Sequence, residues 1–119
     1  MNALLNHTLT ILCQEAVAND LDDVIEDLVD DEDLSKSTTF KTYVKHDGVS
    51  IVVTSYYGEE WRESWDEDWH DTREFLYASY SVVNIDIEEN NNEEKHLVVI
   101  EPCDIEDYIY NDFNLWATT

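Results

Sequence analysis

Gly58-Glu59-Glu60-Trp61-Arg62-Glu63-Ser64-Trp65-Asp66-Glu67-Asp68-Trp69-His70-Asp71-Thr72-Arg73-Glu74 is the stretch on which the reading of the fold turns. Eight carboxylates stand in it against two arginines, and three indoles recur at every fourth residue. A spacing of four puts side chains about one turn apart on one face of a helix. A strand would also bring Trp61, Trp65 and Trp69 to one face, with Glu63 and Glu67 lying between them. The intervening positions show no alternation of apolar and polar residues, so the pattern points to a helix or an ordered acidic loop. At least two of the three indoles are expected to pack on the core, with the carboxylates facing water. Otherwise the segment is an aromatic-studded acidic surface for a basic partner, and both readings hold if the indoles anchor a segment that presents its carboxylates.

Upstream of this stretch the pattern is that of strands. Phe40, Thr42, Val44 and His46 alternate with Lys41, Tyr43 and Lys45, and Val49, Ile51, Val53 and Ser55 follow after Asp47-Gly48. Asp-Gly is a two-residue hairpin turn, because glycine tolerates positive φ. That turn sets His46 against Val49, Val44 against Ile51 and Thr42 against Val53, so the apolar sets share one face. Downstream, 76–88 is expected as a strand with Val83, Ile85 and Ile87 on one side and Tyr80 and Val82 on the other. A polar turn at 89–94 leads to a returning strand at 97–100, which Pro102 ends. Asp104 is the expected cap of a last helix carrying Ile105, Ile109, Phe113 and Trp116.

At the N-terminus, Leu5, Leu9, Leu12 and Ala16 form the stripe of a helix over 2–17. Asn19 or Asp20 is the expected cap of a second helix, whose stripe is Leu21, Val24, Ile25, Leu28 and Val29. The expected architecture is α+β, a single domain over 1–119. A four-stranded antiparallel sheet of two hairpins is covered by two N-terminal helices and a C-terminal helix. The acidic Trp-rich helix or loop lies between the hairpins.

Charge is the feature this framework leaves unexplained. The chain carries 29 acids against 6 bases, a net charge of −23, whereas a charge of roughly 2–8 keeps a small domain dispersed. With 43% hydrophobic residues the chain holds too much apolar material for a disordered acidic tail. The charge argues against direct nucleic-acid binding, which needs clustered Lys and Arg, and against anionic membranes. The cysteines, Cys13 and Cys103, make no disulfide framework, and no segment approaches membrane-spanning length. These features describe a soluble protein of a reducing cytoplasm.

No catalytic constellation emerges. His7, His46, His70 and His96 stand in no motif, and the glycines, Gly48 and Gly58, build no phosphate loop. Asp31, Asp33 and Ser35 begin like a calcium-binding loop, but Lys36 and Thr42 occupy the positions where that loop needs Gly and Glu. The expectation is a protein that is not an enzyme and carries no cofactor or metal.

What remains is a charged surface for a basic protein. Asp22, Glu26 and Asp30 form one row at four-residue spacing, and Asp23, Asp27 and Asp31 form another. Two charges per four residues is about one per 3 Å of helix axis, close to the spacing of about 3.4 Å along one DNA strand. Glu63, Asp66, Glu67, Asp68 and Asp71 supply a second patch beside Trp65, whose ring can take an arginine. These twelve residues are the candidate partner-binding site. In size, charge and aromatic content the chain resembles phage-encoded DNA mimics that inhibit restriction enzymes and CRISPR effector complexes. That resemblance implies a monomer or homodimer occupying the basic groove of a nucleic-acid-binding protein in a bacterial cytoplasm. An immunity protein or antitoxin against a basic nuclease, or an acidic chaperone of a basic protein, is the alternative.

Overall fold

A computed structural model describes residues 3–65, 71–91 and 97–115. Helix α1 (Ala3–Val29) is followed by strands β1 (Ser35–His46), β2 (Val49–Trp65) and β3 (Asp71–Asn90), then by helix α2 (Pro102–Asp112). The strands form one antiparallel sheet in the order β1-β2-β3. Both helices lie on the same face of it, around a core that includes Leu9, Val17, Leu21, Ile51, Val53, Tyr80, Ile105 and Ile109. No helix among the described residues is long and apolar enough to cross a membrane.

The N-terminal quarter is one helix of 27 residues, about 40 Å long, and not the expected pair. Asn19 and Asp20 cap nothing, because the apolar row does not stop there. Leu5, Leu9, Cys13, Val17 and Leu21 are buried at unbroken four-residue spacing across the expected break. No glycine or proline interrupts them.

The Asp47-Gly48 hairpin has the expected register, with His46 opposite Val49, Val44 opposite Ile51 and Thr42 opposite Val53. Asp47 (φ 51°) and Gly48 (φ 77°) both take the left-handed conformation that this tight turn requires. Its ladder then continues to Ser35 opposite Glu60, well beyond the expected strand ends.

The described parts of 58–74, residues 58–65 and 71–74, are strand and not the expected helix or loop. Strand β2 runs on to Trp65 and pairs with β3 from Asp71, so the Trp-acid segment is a second hairpin. Beyond the row joining Ser35 and Glu60, only β2 and β3 continue, as a two-stranded arm. It helps to draw the molecule out to 66 × 21 × 17 Å. The radius of gyration is 17.8 Å, against about 13–14 Å for a compact domain of this length.

Three register shifts leave Glu88, Val83 and Leu76 unpaired on β3. Each bulge reverses the inside–outside phase of the strand. Tyr80, Val82 and Ile85 therefore share the core face, while Val83 is 59% exposed. The expected grouping of Val83 with Ile85 fails at this bulge.

The expected fourth strand fails too. Residues 97–100 form no strand and pair with none among the described residues. Asn6 of α1 holds them instead: its Nδ2 donates to the Leu97 carbonyl at 3.4 Å, and its Oδ1 accepts the Val99 N–H at 3.2 Å. Part of the β3 edge is met by α2, where Glu106 accepts the Val82 N–H and the Tyr110 hydroxyl accepts the Tyr80 N–H. Helix α2 starts two residues before the expected cap, with Pro102 in its first turn.

Neither described helix covers the outer face of the sheet. Its cross-strand rows are Ser35, Glu60, Tyr77; Ser37, Gly58, Ser79; Thr39, Tyr56, Ser81; Lys41, Thr54, Asn84; Tyr43, Val52, Asp86; and Lys45, Ser50, Glu89. Gly58 lets the Tyr56 ring lie flat along its strand, since a Cβ there would stand 2.7 Å from the Tyr56 hydroxyl oxygen.

Thr42 tests the account of the core. It is 1% exposed, and its hydroxyl has no hydrogen-bond partner among the described residues. A buried polar group without a partner costs about 1–3 kcal/mol. Thr42→Val keeps the shape and the strand preference, so urea unfolding should show a gain of about 1 kcal/mol. A loss of stability would show that the hydroxyl is satisfied.

Candidate functional site

The acidic end of α1 is held by a lysine. Lys36, at the start of β1, points inward and is almost fully buried. Its Nζ donates to the Leu28 carbonyl at 2.7 Å and to the Asp31 carbonyl at 2.9 Å. These are carbonyls at and just beyond the C-terminus of α1, where the helix dipole is negative and a cation is favoured. The Leu28 carbonyl also accepts the Asp31 N–H, and the Asp31 carboxylate accepts the Asp33 N–H. The cluster of acids just past the helix is thereby folded back into a turn around one ammonium group.

Glu59 of β2 is buried beside this lysine, with Oε1 at 3.8 Å from Nζ. That distance gives Coulombic attraction and no direct hydrogen bond. Donors to the carboxylate come from its own strand: the Tyr57 hydroxyl at 2.7 Å and the Trp61 indole N–H at 3.0 Å. Tyr57, Glu59 and Trp61 continue the inward phase of Val49, Ile51, Val53 and Ser55. Burial first, and then the Glu59 carboxylate, push the Tyr57 hydroxyl far above the usual tyrosine range, so it stays a donor. Trp61 packs edge-on against Phe75, with ring centroids 5.3 Å apart, and Lys36 Nζ lies 5.4 Å from the Trp61 ring centroid. The Trp61 backbone N–H donates to the Leu34 carbonyl at 2.7 Å, closing the α1–β1 turn onto the arm.

These groups bound a cavity of about 260 Å³ at the root of the arm. Ile25, Val29 and Trp61 contribute apolar lining, and Asp31, Asp33, Arg73, Lys36 and Glu59 contribute polar lining. Among the described residues no group of His, Cys, Asp and Glu is placed to hold a metal.

The sequence-derived candidates divide into four groups. Asp22, Asp23, Glu26, Asp27 and Asp30 are exposed on the C-terminal half of α1 and the turn that follows. Asp31 is not the end of a helical row, because α1 stops at Val29; it is half-buried and bonded within the turn. Glu63 is exposed on the arm opposite Arg73, and Trp65 opposite Asp71 ends the pairing. Asp66, Glu67 and Asp68 lie outside the described residues.

The end of α1, the acidic turn after it and the arm thus meet around one cavity, whose lining includes Asp31 but none of the candidate acids from Asp22 to Asp30. Sequence reasoning missed Lys36, Tyr57 and Glu59, although a signal existed. Counting back by twos from Val44 puts Lys36 inside, and counting forward from Ser55 does the same for Tyr57 and Glu59.

No family model matches the chain, and no curated protein or solved structure matches it significantly.

Removing the lysine should cost more than an exposed ion pair does. Lys36→Met leaves a buried carboxylate and two carbonyls without their cation, a loss of about 3 kcal/mol in urea unfolding. Glu59→Gln keeps an acceptor for Tyr57 and removes the charge. The double variant should therefore be less destabilised than the sum of the singles, by about 1–2 kcal/mol. Strict additivity would show that the two side chains are not coupled.

Proposed function

We propose that the protein is a nucleic-acid mimic, an acidic decoy for the basic nucleic-acid-binding surface of a host defence protein. A CRISPR effector or a restriction enzyme of the bacterial cytoplasm is the class of target, blocked sterically and electrostatically. The observation that carries this reading is charge on a narrow rod. A body of 66 × 21 × 17 Å bears a net −23, on the order of one negative charge per 3 Å of length, comparable with one DNA strand at about 3.4 Å per charge. Its exposed α1 acids adjoin a cavity whose lining includes Val29, Trp61 and Asp33. Basic nucleic-acid sites are rich in arginine, whose planar head pairs with carboxylates and stacks on apolar surface. Basic grooves also focus the field and accelerate capture of an anionic ligand.

Pull-down from a bacterial host, followed by competition between this protein and duplex DNA for the recovered target, tests the proposal. Binding should weaken steeply as salt rises, because exposed charges are screened over about 8–10 Å. The association rate should fall more than the dissociation rate rises. Reversing Asp22, Asp23, Glu26 and Asp27 to Lys should cost roughly 10–100-fold in affinity with circular dichroism unchanged. Reversing four acids elsewhere (Glu15, Glu101, Asp107 and Asp112) should cost clearly less. Equal loss from both sets would mean that bulk charge alone drives binding. Salt-independent affinity, or recovery of a nuclease toxin unable to bind DNA in the complex, would overturn the mimic.

A further inference from the structure

From the outer face of the sheet we infer that the protein forms a symmetric dimer, two copies packing face to face with a two-fold axis along β2. The inference is independent of the mimic reading. Two chains of net −23 repel each other over most of their surface, so they can meet only where the field is weak. The four middle rows of the outer face, from Ser37 to Tyr43 on β1, carry one base, Lys41, and one acid, Asp86. Their other residues are Ser, Thr, Tyr, Gly, Asn and Val, and Tyr43 is 69% exposed. Tyrosine set among serine and glycine gives large contact area at low entropic cost, the chemistry of antibody paratopes.

Size and charge pattern both fit a second copy. Six rows over three strands span roughly 40 by 14 Å, near 600 Å² per copy, the lower end of stable interfaces. The first row sets Glu60, which accepts from Ser35 Oγ at 2.7 Å, against its own copy on the axis, a repulsion the other rows must offset. Lys41 and Lys45 stand on β1, and Asp86 and Glu89 stand in the same two rows as Tyr43 and Lys45 on β3. Glu88, extruded by its bulge, borders that end. A rotation about β2 lays β1 of one copy over β3 of the other, row on row. Each Lys45 then faces the other copy's Glu89, and each Lys41 lies one row from its Asp86, twice by symmetry. The same rotation lays Tyr43 of each copy over the other's Asp86, within reach of a hydrogen bond from its hydroxyl to that carboxylate. Sheets stacked this way keep their strands nearly aligned, as twisted sheets do.

Sedimentation equilibrium tests this with three chains: the natural one, Lys41→Glu/Lys45→Glu, and Asp86→Lys/Glu89→Lys. The natural chain should reach twice its 14.0 kDa mass as concentration rises. Each variant alone faces like with like and should dimerise at least about 100-fold more weakly. Mixed together, the two variants restore opposite charges at both contacts and should dimerise as the natural chain does. Added salt should tighten the natural dimer by screening its net repulsion, the opposite of its effect on a basic target, so the two proposals fail separately. A natural chain that stays monomeric with its fold intact overturns the inference. Variants that dimerise unimpaired, or a mixture that stays monomeric, would overturn this face and axis.

Discussion

One buried ammonium group sits where three unfavourable features converge. The C-terminus of α1 exposes carbonyls with a negative dipole, acids from Asp30 to Asp33 crowd the same place, and Glu59 brings a carboxylate into the interior from the sheet. Lys36 answers all of them with two carbonyl hydrogen bonds and one Coulombic contact. Without it, the long helix would end in repulsion against the strand it must cover. A buried ion pair is weak evidence for stability in itself. Here its consequence is geometric, because it fixes where the acidic helix end lies relative to the arm.

The rest of the molecule separates apolar work from charge. One face of the sheet receives both helices and nearly all of the buried aliphatic side chains. The acids are left on the solvent side of α1, on the arm and on α2, while the middle of the outer face is close to neutral. This division leaves an acidic helix side and a nearly neutral sheet face, the two surfaces that the proposed basic target and the proposed dimer would use. The elongated body follows from strands of 17 and 20 residues extending past the third.

The parts of this fold legible in the sequence were those governed by local period. The Asp47-Gly48 turn set the register of β1 and β2, because a two-residue loop leaves no freedom. The long helix was misread as two since Asn19 and Asp20 are good caps in isolation, and the buried row through Val17 and Leu21 overrode them. The Trp-acid stretch was misread because its inward positions include Glu59. A charged residue at an inward position destroys the alternation that marks a strand, and only a distant lysine makes its burial tolerable. The bulges at Val83 and Glu88 left no signal at all, and the phase of β3 could not be counted through them. The candidate acids on α1 needed only exposure and helical spacing. Lys36 and Glu59 came together through tertiary packing that no local rule reports.

Amide hydrogen exchange, compared between the natural chain and Lys36→Met, reads whether this lysine fixes the helix end. If one lysine holds the helix end against the arm, the substitution should release two separate stretches together. Amides in the last turns of α1 and the Trp61 amide, bonded to the Leu34 carbonyl, should lose protection in step. The ladder between Thr42 and Val53 and the helix from Leu9 to Leu21 should keep theirs. Unchanged exchange in both stretches, or loss in only one of them, would contradict the account.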